Sequence, residues 1–241
     1  MLTNIDAVVF DLDGTLLDRR RSFTRFVQAQ WERYSQVLQR VSRREYVRTL
    51  IELDRDGYGP RKELFAGMIA RFDLPLELGE TLLRDYRAGF PNACSLFPDA
   101  ASTLSALRSS GFKLGLITNG SVRMQSGKLE CLALGPVFDT VLISDAEGVH
   151  KPDVEIFRRA LKRLDTIADR AVFVGDHPEV DVSGAQGAGM KSIWRRDPEV
   201  LRIVEADAII DELGDLLQIL GSARTRTADS PTQKSGDDLE D

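Results

Sequence analysis

The sequence predicts an α/β protein: a parallel sheet with helices on both faces, interrupted after its first strand by an all-helical insertion. Three observations carry this. From residue 91 onward, short apolar runs alternate with amphipathic stretches, the pattern of strands joined by crossover helices. Residues 22–90 show helical periodicity and no convincing strand. Near the N-terminus, the β-branched and aromatic run Ala7-Val8-Val9-Phe10 reads as a buried strand and ends at Asp11-Leu12-Asp13-Gly14-Thr15.

The elements follow in order. After the first strand, Phe23, Phe26, Val27, Trp31, Tyr34 and Leu38 recur at three- and four-residue steps. Tyr46, Val47, Leu50 and Ile51 form a second stripe, Leu64, Phe65, Met68, Ile69 and Phe72 a third, and Leu82, Leu83, Tyr86 and Phe90 a fourth. Asp56-Gly57-Tyr58-Gly59-Pro60 breaks the second from the third. Pro98-Asp99 starts a helix with Leu104 and Leu107 inward, and Gly111 ends it. Lys113–Ile117 is a buried strand leading to Thr118-Asn119-Gly120, and a helix-like stretch then runs to Leu134-Gly135. Phe138–Ile143 is the next strand. Pro152 opens a helix as a first-turn proline, with Ile156, Phe157, Ala160, Leu161 and Leu164 on one face. Ala171–Val174 ends at Gly175-Asp176, a short helix reaches Ala188-Gly189, and Lys191–Trp194 is a strand. Ala208–Ile210 is a weaker strand, and Asp211 caps a last helix.

The expected division is a Rossmann-like α/β core at 1–17 and 94–222, a helical cap at 18–93, and a disordered acidic tail at 223–241. Because the cap enters straight after the first strand, it is expected over the crevice at the carboxyl ends of the strands. No internal repeat is present.

Composition narrows the class. A chain of 241 residues that is 42% hydrophobic and 29% charged suits a soluble globular protein. The net charge of −6 argues against a general nucleic-acid footprint. No run is apolar and long enough for a bilayer, and Asp6 and Asp11 interrupt anything like a signal peptide. Cys94 and Cys131 lie in no metal or redox spacing, so both are expected to be structural, in a reducing, cytoplasmic setting. A monomer or homodimer is expected, with no nucleic-acid or membrane partner.

The polar residues at the strand exits carry the functional reading. Asp11 and Asp13 leave an extended chain on one side, and unpaired charge there is costly. A strand followed by an Asp-Gly turn explains the pair as well as a site for a divalent cation and an electrophile does. Later exits add Thr118 and Asn119, then Lys151, then Asp176 with Asp181 five residues on. Taken singly, Asp176 reads as a helix cap, Lys151 as a solvated charge and Thr118-Asn119-Gly120 as a turn. Taken together, acids suited to a hard cation such as Mg²⁺ converge with a lysine and a hydroxyl suited to phosphate oxygens.

Asp11-Leu12-Asp13-Gly14-Thr15, Thr118-Asn119-Gly120, Lys151-Pro152 and Gly175-Asp176-His177-Pro178-Glu179-Val180-Asp181 resemble, in order, the four motifs of the haloacid dehalogenase-like hydrolase superfamily. The resemblance spans about Ile5 to Leu220, and the helical insertion resembles the superfamily's first cap type. It implies that Asp11 is the nucleophile and Asp13 the general acid, then base. It implies that Thr118 and the Asn119 backbone N–H bind the phosphoryl group, and that Lys151 neutralises it. Mg²⁺ is implied at Asp11, the Asp13 carbonyl and Asp176, with Asp181 behind them orienting Lys151 or a water on the metal.

The implied activity is Mg²⁺-dependent hydrolysis of a small phosphorylated metabolite, a nucleoside monophosphate or sugar phosphate, through an aspartyl-phosphate. A phosphomutase, a dehalogenase or a non-catalytic binding protein are the rivals. Asp13 argues against dehalogenation, which needs no acid two residues after the nucleophile. Phosphonate cleavage would need a cap lysine, and Lys62 is the only one in that segment. His177 and His150 are expected to have no chemical role. Among the cap arginines, Arg19, Arg20 and Arg21 stand nearest the first motif and rank first for gripping a second anionic group.

Overall fold

The computed structural model of the protein describes residues 2, 4–57, 59–197 and 204–228. Tyr58 and residues 229–241 of the expected tail lie outside the described residues.

Six strands form one parallel sheet in the order β3-β2-β1-β4-β5-β6: β1 (Ala7–Phe10), β2 (Lys113–Thr118), β3 (Thr140–Ile143), β4 (Ala171–Gly175), β5 (Lys191–Arg195) and β6 (Ala208–Ile210). The expected parallel sheet is therefore present. Strand β1 lies inside the sheet and pairs on both edges, Phe10 with Leu116 of β2 and with Val174 of β4. That register brings the ends of β1, β2 and β4 level. The chain order of β1, β2 and β4 thus places three separate polar motifs at one rim of the sheet.

Alternation along the strands fills two apolar layers. Val8 and Phe10 face a cluster with Leu104 and Leu107 of α5 (Ala100–Ser109) and Leu216 and Leu220 of α10 (Asp215–Ala228). Ala7 and Val9 face the other, with Ile156, Phe157 and Ala160 of α8 (Val154–Arg163). Helix α6 (Val122–Cys131) follows β2, and the short helices α7 (Ser144–Glu147) and α9 (Gly184–Gly187) complete the core.

Between β1 and β2 stand α1 (Arg19–Arg33), α2 (Arg43–Asp54), α3 (Arg61–Phe72) and α4 (Leu76–Gly89). They share a cluster of their own, in which Phe26 lies 5.7 Å from Tyr86 and 5.8 Å from Phe90, ring centre to ring centre. Buried polar bonds tie three of the helices together. Tyr46 of α2 donates to Gln30 of α1 at 2.8 Å, and the Gln30 amide donates to the Leu82 carbonyl of α4 at 3.0 Å.

Some boundaries differ from the sequence expectation. Asp18 accepts from the Arg21 N–H, so α1 starts at Arg19. It ends at Arg33, and Leu38 is buried from the turn that follows. Pro152 does not open α8; Asp153 caps it by accepting from the Glu155 N–H at 2.9 Å. Asp211 does not cap the last helix, because Arg196 engages its carboxylate at 2.9 Å. The Asp215 carboxylate, in the first turn of α10, accepts instead from the Asp211 and Glu212 N–H groups ahead of the helix, at 3.3 and 3.2 Å. Helix α10 continues to Ala228, into the segment expected to be tail. Among the described residues, no helix is long and apolar enough to cross a membrane.

Candidate active site

Asp11 follows β1 directly, and its carboxylate accepts from the Lys151 ammonium at 2.6 Å. The same ammonium donates to Asp181 at 2.7 Å and lies 5.1 Å from the Phe173 ring centre. Lys151 is 2% exposed and Asp181 1%, and at such burial an unpaired charge would be strongly unfavourable. The lysine's position is fixed through its backbone. The Asn119 side chain accepts from the Lys151 N–H at 3.0 Å and donates to its carbonyl at 2.9 Å. Asp181 is held on its other oxygen by the His177 N–H at 3.0 Å.

Two glycines permit the close approach of these acids. A Cβ on Gly14, whose φ is +92°, would stand 2.3 Å from an Asp176 oxygen. A Cβ on Gly175 would stand 2.4 Å from that of Asp181. Any side chain at either place would displace a carboxylate. Around them, Thr15 reaches Asp176 at 3.4 Å, Trp194 donates to the Asp176 carbonyl at 2.8 Å and Arg195 donates to the Gly14 carbonyl at 2.8 Å.

Oxygens of Asp11, Asp176 and Asp181 lie within 4.8 Å of one another. Three carboxylates face one ammonium there, an excess of two negative charges. Burial, with Asp181 and Asp13 adding like charge against the pull of Lys151, pushes the Asp11 carboxyl up to about 7. Burial, then Asp11 and Asp181, raise Asp176 well above its ordinary value. Burial disfavours the Lys151 ammonium, but Asp11 and Asp181 outweigh it and hold the proton on more tightly than usual. A hard divalent cation fits this donor set, because it takes oxygen ligands and cancels the excess charge.

Asp13 faces a different set of partners. Both its oxygens accept from Lys128 at 2.7 Å, and one accepts from Gln125 at 2.9 Å. Gln125 also donates to the Thr118 hydroxyl. Burial pushes the Asp13 carboxyl up, but Lys128, Arg19 and the hydrogen bonds from Gln125 and Lys128 outweigh it and hold it below its ordinary value. Gln125 and Lys128 were not singled out from the sequence. They stand three apart on the buried face of α6, the helix that begins just after Thr118-Asn119-Gly120, and that spacing was the available signal.

Asp11, Asp13, Thr118, Asn119, Lys151 and Asp181 line one cavity of about 720 Å³, together with Arg19, Tyr86 and Arg87 of the helical insertion. Arg19 is buried and spent on Asp54, which accepts from both of its terminal nitrogens, one of them at 2.9 Å. Arg20 and Arg21 are exposed and do not line the cavity. His177 caps the following turn, its Nδ1 accepting from the Glu179 and Val180 N–H groups at 3.2 and 3.1 Å. His150 is exposed. Cys94 and Cys131 are both free, and Cys131 is exposed rather than packed in a core.

A family model described as haloacid dehalogenase-like hydrolase matches residues 5–189. A glyceraldehyde 3-phosphate phosphatase of Pyrococcus furiosus is 36% identical over 144 residues, which span 58% of this chain and 59% of that relative. Another, from Methanothermobacter thermautotrophicus, is 32% identical over 90% of this chain and 100% of its own length. A solved structure of a HAD phosphatase from Thermococcus onnurineus superposes with a TM-score of 0.65 at 32% identity, covering 91% of this chain and 100% of that one.

Proposed function

The chain belongs to the haloacid dehalogenase-like hydrolase family and is an enzyme of its phosphatase kind, and on that premise we propose that it is a Mg²⁺-dependent phosphomonoesterase acting on a small phosphorylated metabolite of sugar-phosphate or nucleoside-monophosphate size. One observation carries the reading. Two aspartates two residues apart are held by separate lysines, Asp11 by Lys151 and Asp13 by Lys128, at the wall of one cavity.

The separation suits a division of labour. Asp11 attacks phosphorus, forming its bond as the bond to the leaving oxygen breaks. Asp13 gives its proton to that oxygen. A phosphoryl dianion beside Asp13 raises its carboxyl by like-charge repulsion, so it takes up the proton it must donate. In the second half, Asp13 removes a proton from the water that attacks the aspartyl-phosphate, releasing phosphate and restoring Asp11. Lys151 offsets charge on Asp11 and the phosphoryl oxygens, Thr118 and the Asn119 N–H position that group, and Asp181 keeps Lys151 in place. Asp11, Asp176 and the Asp13 carbonyl would hold Mg²⁺, which supplies charge stabilisation to the transferring phosphoryl group.

The helical insertion is read as a cap, since Arg19, Tyr86 and Arg87 share the cavity wall with the motif residues. A cytoplasmic setting and a monomer or homodimer complete the proposal. Asp13 favours phosphate ester hydrolysis over dehalogenation, as its proton is needed by an alcohol and not by a halide. The test is phosphate release over a panel of phosphorylated metabolites, with and without Mg²⁺. Asp11→Asn should lower turnover by at least about 10⁴-fold, the scale of losing a covalent nucleophile. Turnover that survives Asp11→Asn, or ignores the metal, would sink the mechanism.

A further inference from the structure

Five cationic side chains line the cavity: Arg19, Arg87, Arg123, Lys128 and Lys151. Three are already engaged. Lys151 is bonded to Asp11 and Asp181, Lys128 to Asp13, and Arg19 to Asp54. Arg87 and Arg123 are exposed, and neither makes a hydrogen bond or ion pair with any described residue. Exposed arginines are commonly just solvated. These two differ in their placement. Arg87 comes from the last turn of α4, in the helical insertion, and Arg123 from the first turn of α6, on the sheet side. Two segments from different parts of the fold thus present free guanidinium groups to the cavity that contains Asp11.

Their chemistry selects a ligand. A guanidinium presents a planar fork of donors that matches carboxylate or phosphate oxygens. The phosphoryl group undergoing transfer is already supplied by Lys151, Thr118 and the proposed cation. Arg87 and Arg123 line the same cavity without taking part in the bonds that hold Asp11 and Asp13, so their donors remain for another anionic group of the substrate.

We propose that Arg87 and Arg123 form a second anion subsite, so that the preferred substrate is a short phosphomonoester carrying another anionic group, a carboxylate or a second phosphate, on the end remote from the scissile bond. This rests on the phosphatase reading of Asp11. The anion bridges insertion and sheet, so its binding also holds the two sides of the cavity together.

Two measurements separate this subsite from the mechanism beneath it. In the first, kcat/KM with Mg²⁺ is compared for 2-phosphoglycolate, fructose 1,6-bisphosphate and glyceraldehyde 3-phosphate, which has no second anion. The first two distinguish carboxylate from phosphate. Wild type should favour one or both over glyceraldehyde 3-phosphate, and the Arg87→Ala/Arg123→Ala double variant should reduce that ratio about tenfold to a hundredfold, as loss of charge-assisted hydrogen bonds does. The change should fall in KM, and Arg→Lys at both positions should recover part of it. An unchanged ratio in the double variant overturns the subsite. In the second, calorimetry on the Asp11→Asn protein reads binding of the same three compounds without turnover. Tighter binding of a doubly anionic compound that is lost with the arginines supports the subsite even if Asp11 proves not to be the nucleophile. Equal binding of all three overturns it even if Asp11→Asn is inactive.

Discussion

On the sheet side of the cavity, Lys151 stands between Asp11 and Asp181 with Asp176 close by. On the helical side, Arg19 stands against Asp54. Both groupings are buried, and both join residues far apart in the chain. They differ in balance. The Arg19–Asp54 pair is one charge against one, flanked by the Phe23 and Phe90 rings at 5.4 and 5.9 Å from the guanidinium carbon. The sheet-side grouping has three carboxylates for one ammonium. A balanced pair joins α1 to α2 and asks for nothing further. An unbalanced cluster is unfavourable until protons or a cation offset it, and the raised Asp11 and Asp176 carboxyls reflect that deficit. The Asn119 side chain fixes the Lys151 backbone, the His177 N–H fixes Asp181, and the absent side chains of Gly14 and Gly175 leave room for the acids in spite of their repulsion.

This contrast is most severely tested at Asp54. Asp54→Ala should leave Arg19 buried and alone and cost about 3–5 kcal/mol of stability, while Arg19→Met/Asp54→Leu should recover most of the loss. Urea unfolding checks both. A loss under about 1 kcal/mol for the single variant would mean the pair is solvated and no different from a surface bridge.

The next test separates the two lysines. Lys128→Met removes the strongest opponent of burial at Asp13, whose carboxyl should then rise. The limb of the kcat–pH profile set by the Asp13 base should move to higher pH, with turnover near pH 7 about tenfold lower or more. An unmoved limb would show that Lys128 serves packing alone.

The smallest effect concerns the cation. Because the Asp11 carboxyl is raised to about 7, it holds a proton below that pH, and a metal must displace it. Mg²⁺ affinity should fall by at least about tenfold per unit as pH drops below about 7, and the raised Asp176 carboxyl adds to the loss. The same shift, upward from 3.8, makes the metal-free fold lose stability as pH rises between those values, since the folded state keeps the proton longer. Calorimetric titrations between pH 5.5 and 8.5 would show the first effect. Affinity indifferent to pH over that range would contradict the unbalanced cluster.

Much of this was legible in the chain. The strand exits at Asp11, Thr118 and Asp176 could be located because a buried strand and its polar ending are adjacent in sequence. The order of motifs predicted that one crevice would gather them. Helical periodicity located the insertion without any knowledge of what it packs on. The partners of those residues were not legible in the same way. Lys128 and Gln125 lie more than a hundred residues from Asp13, and on α6 they look like ordinary helical positions. Asn119 was read for its backbone N–H, yet its side chain clamps Lys151. Asp211 lost its expected capping role to the bond with Arg196, and Arg19 lost its place as a substrate-gripping candidate to Asp54.

The division has one physical cause. Strand burial, helical stripes and the exposure of a chain end at a sheet rim are local consequences of residue order, so the sequence by itself determined the fold class and which acids, hydroxyl and lysine reach the crevice. How each charge is balanced depends on Coulomb energy and hydrogen bonding across a low-dielectric cavity, between segments whose separation in the chain says nothing about their separation in space. Only the tertiary structure decided that Asp11 and Asp13 answer to different lysines, that Arg19 is neutralised, and that Arg87 and Arg123 have no partner among the described residues.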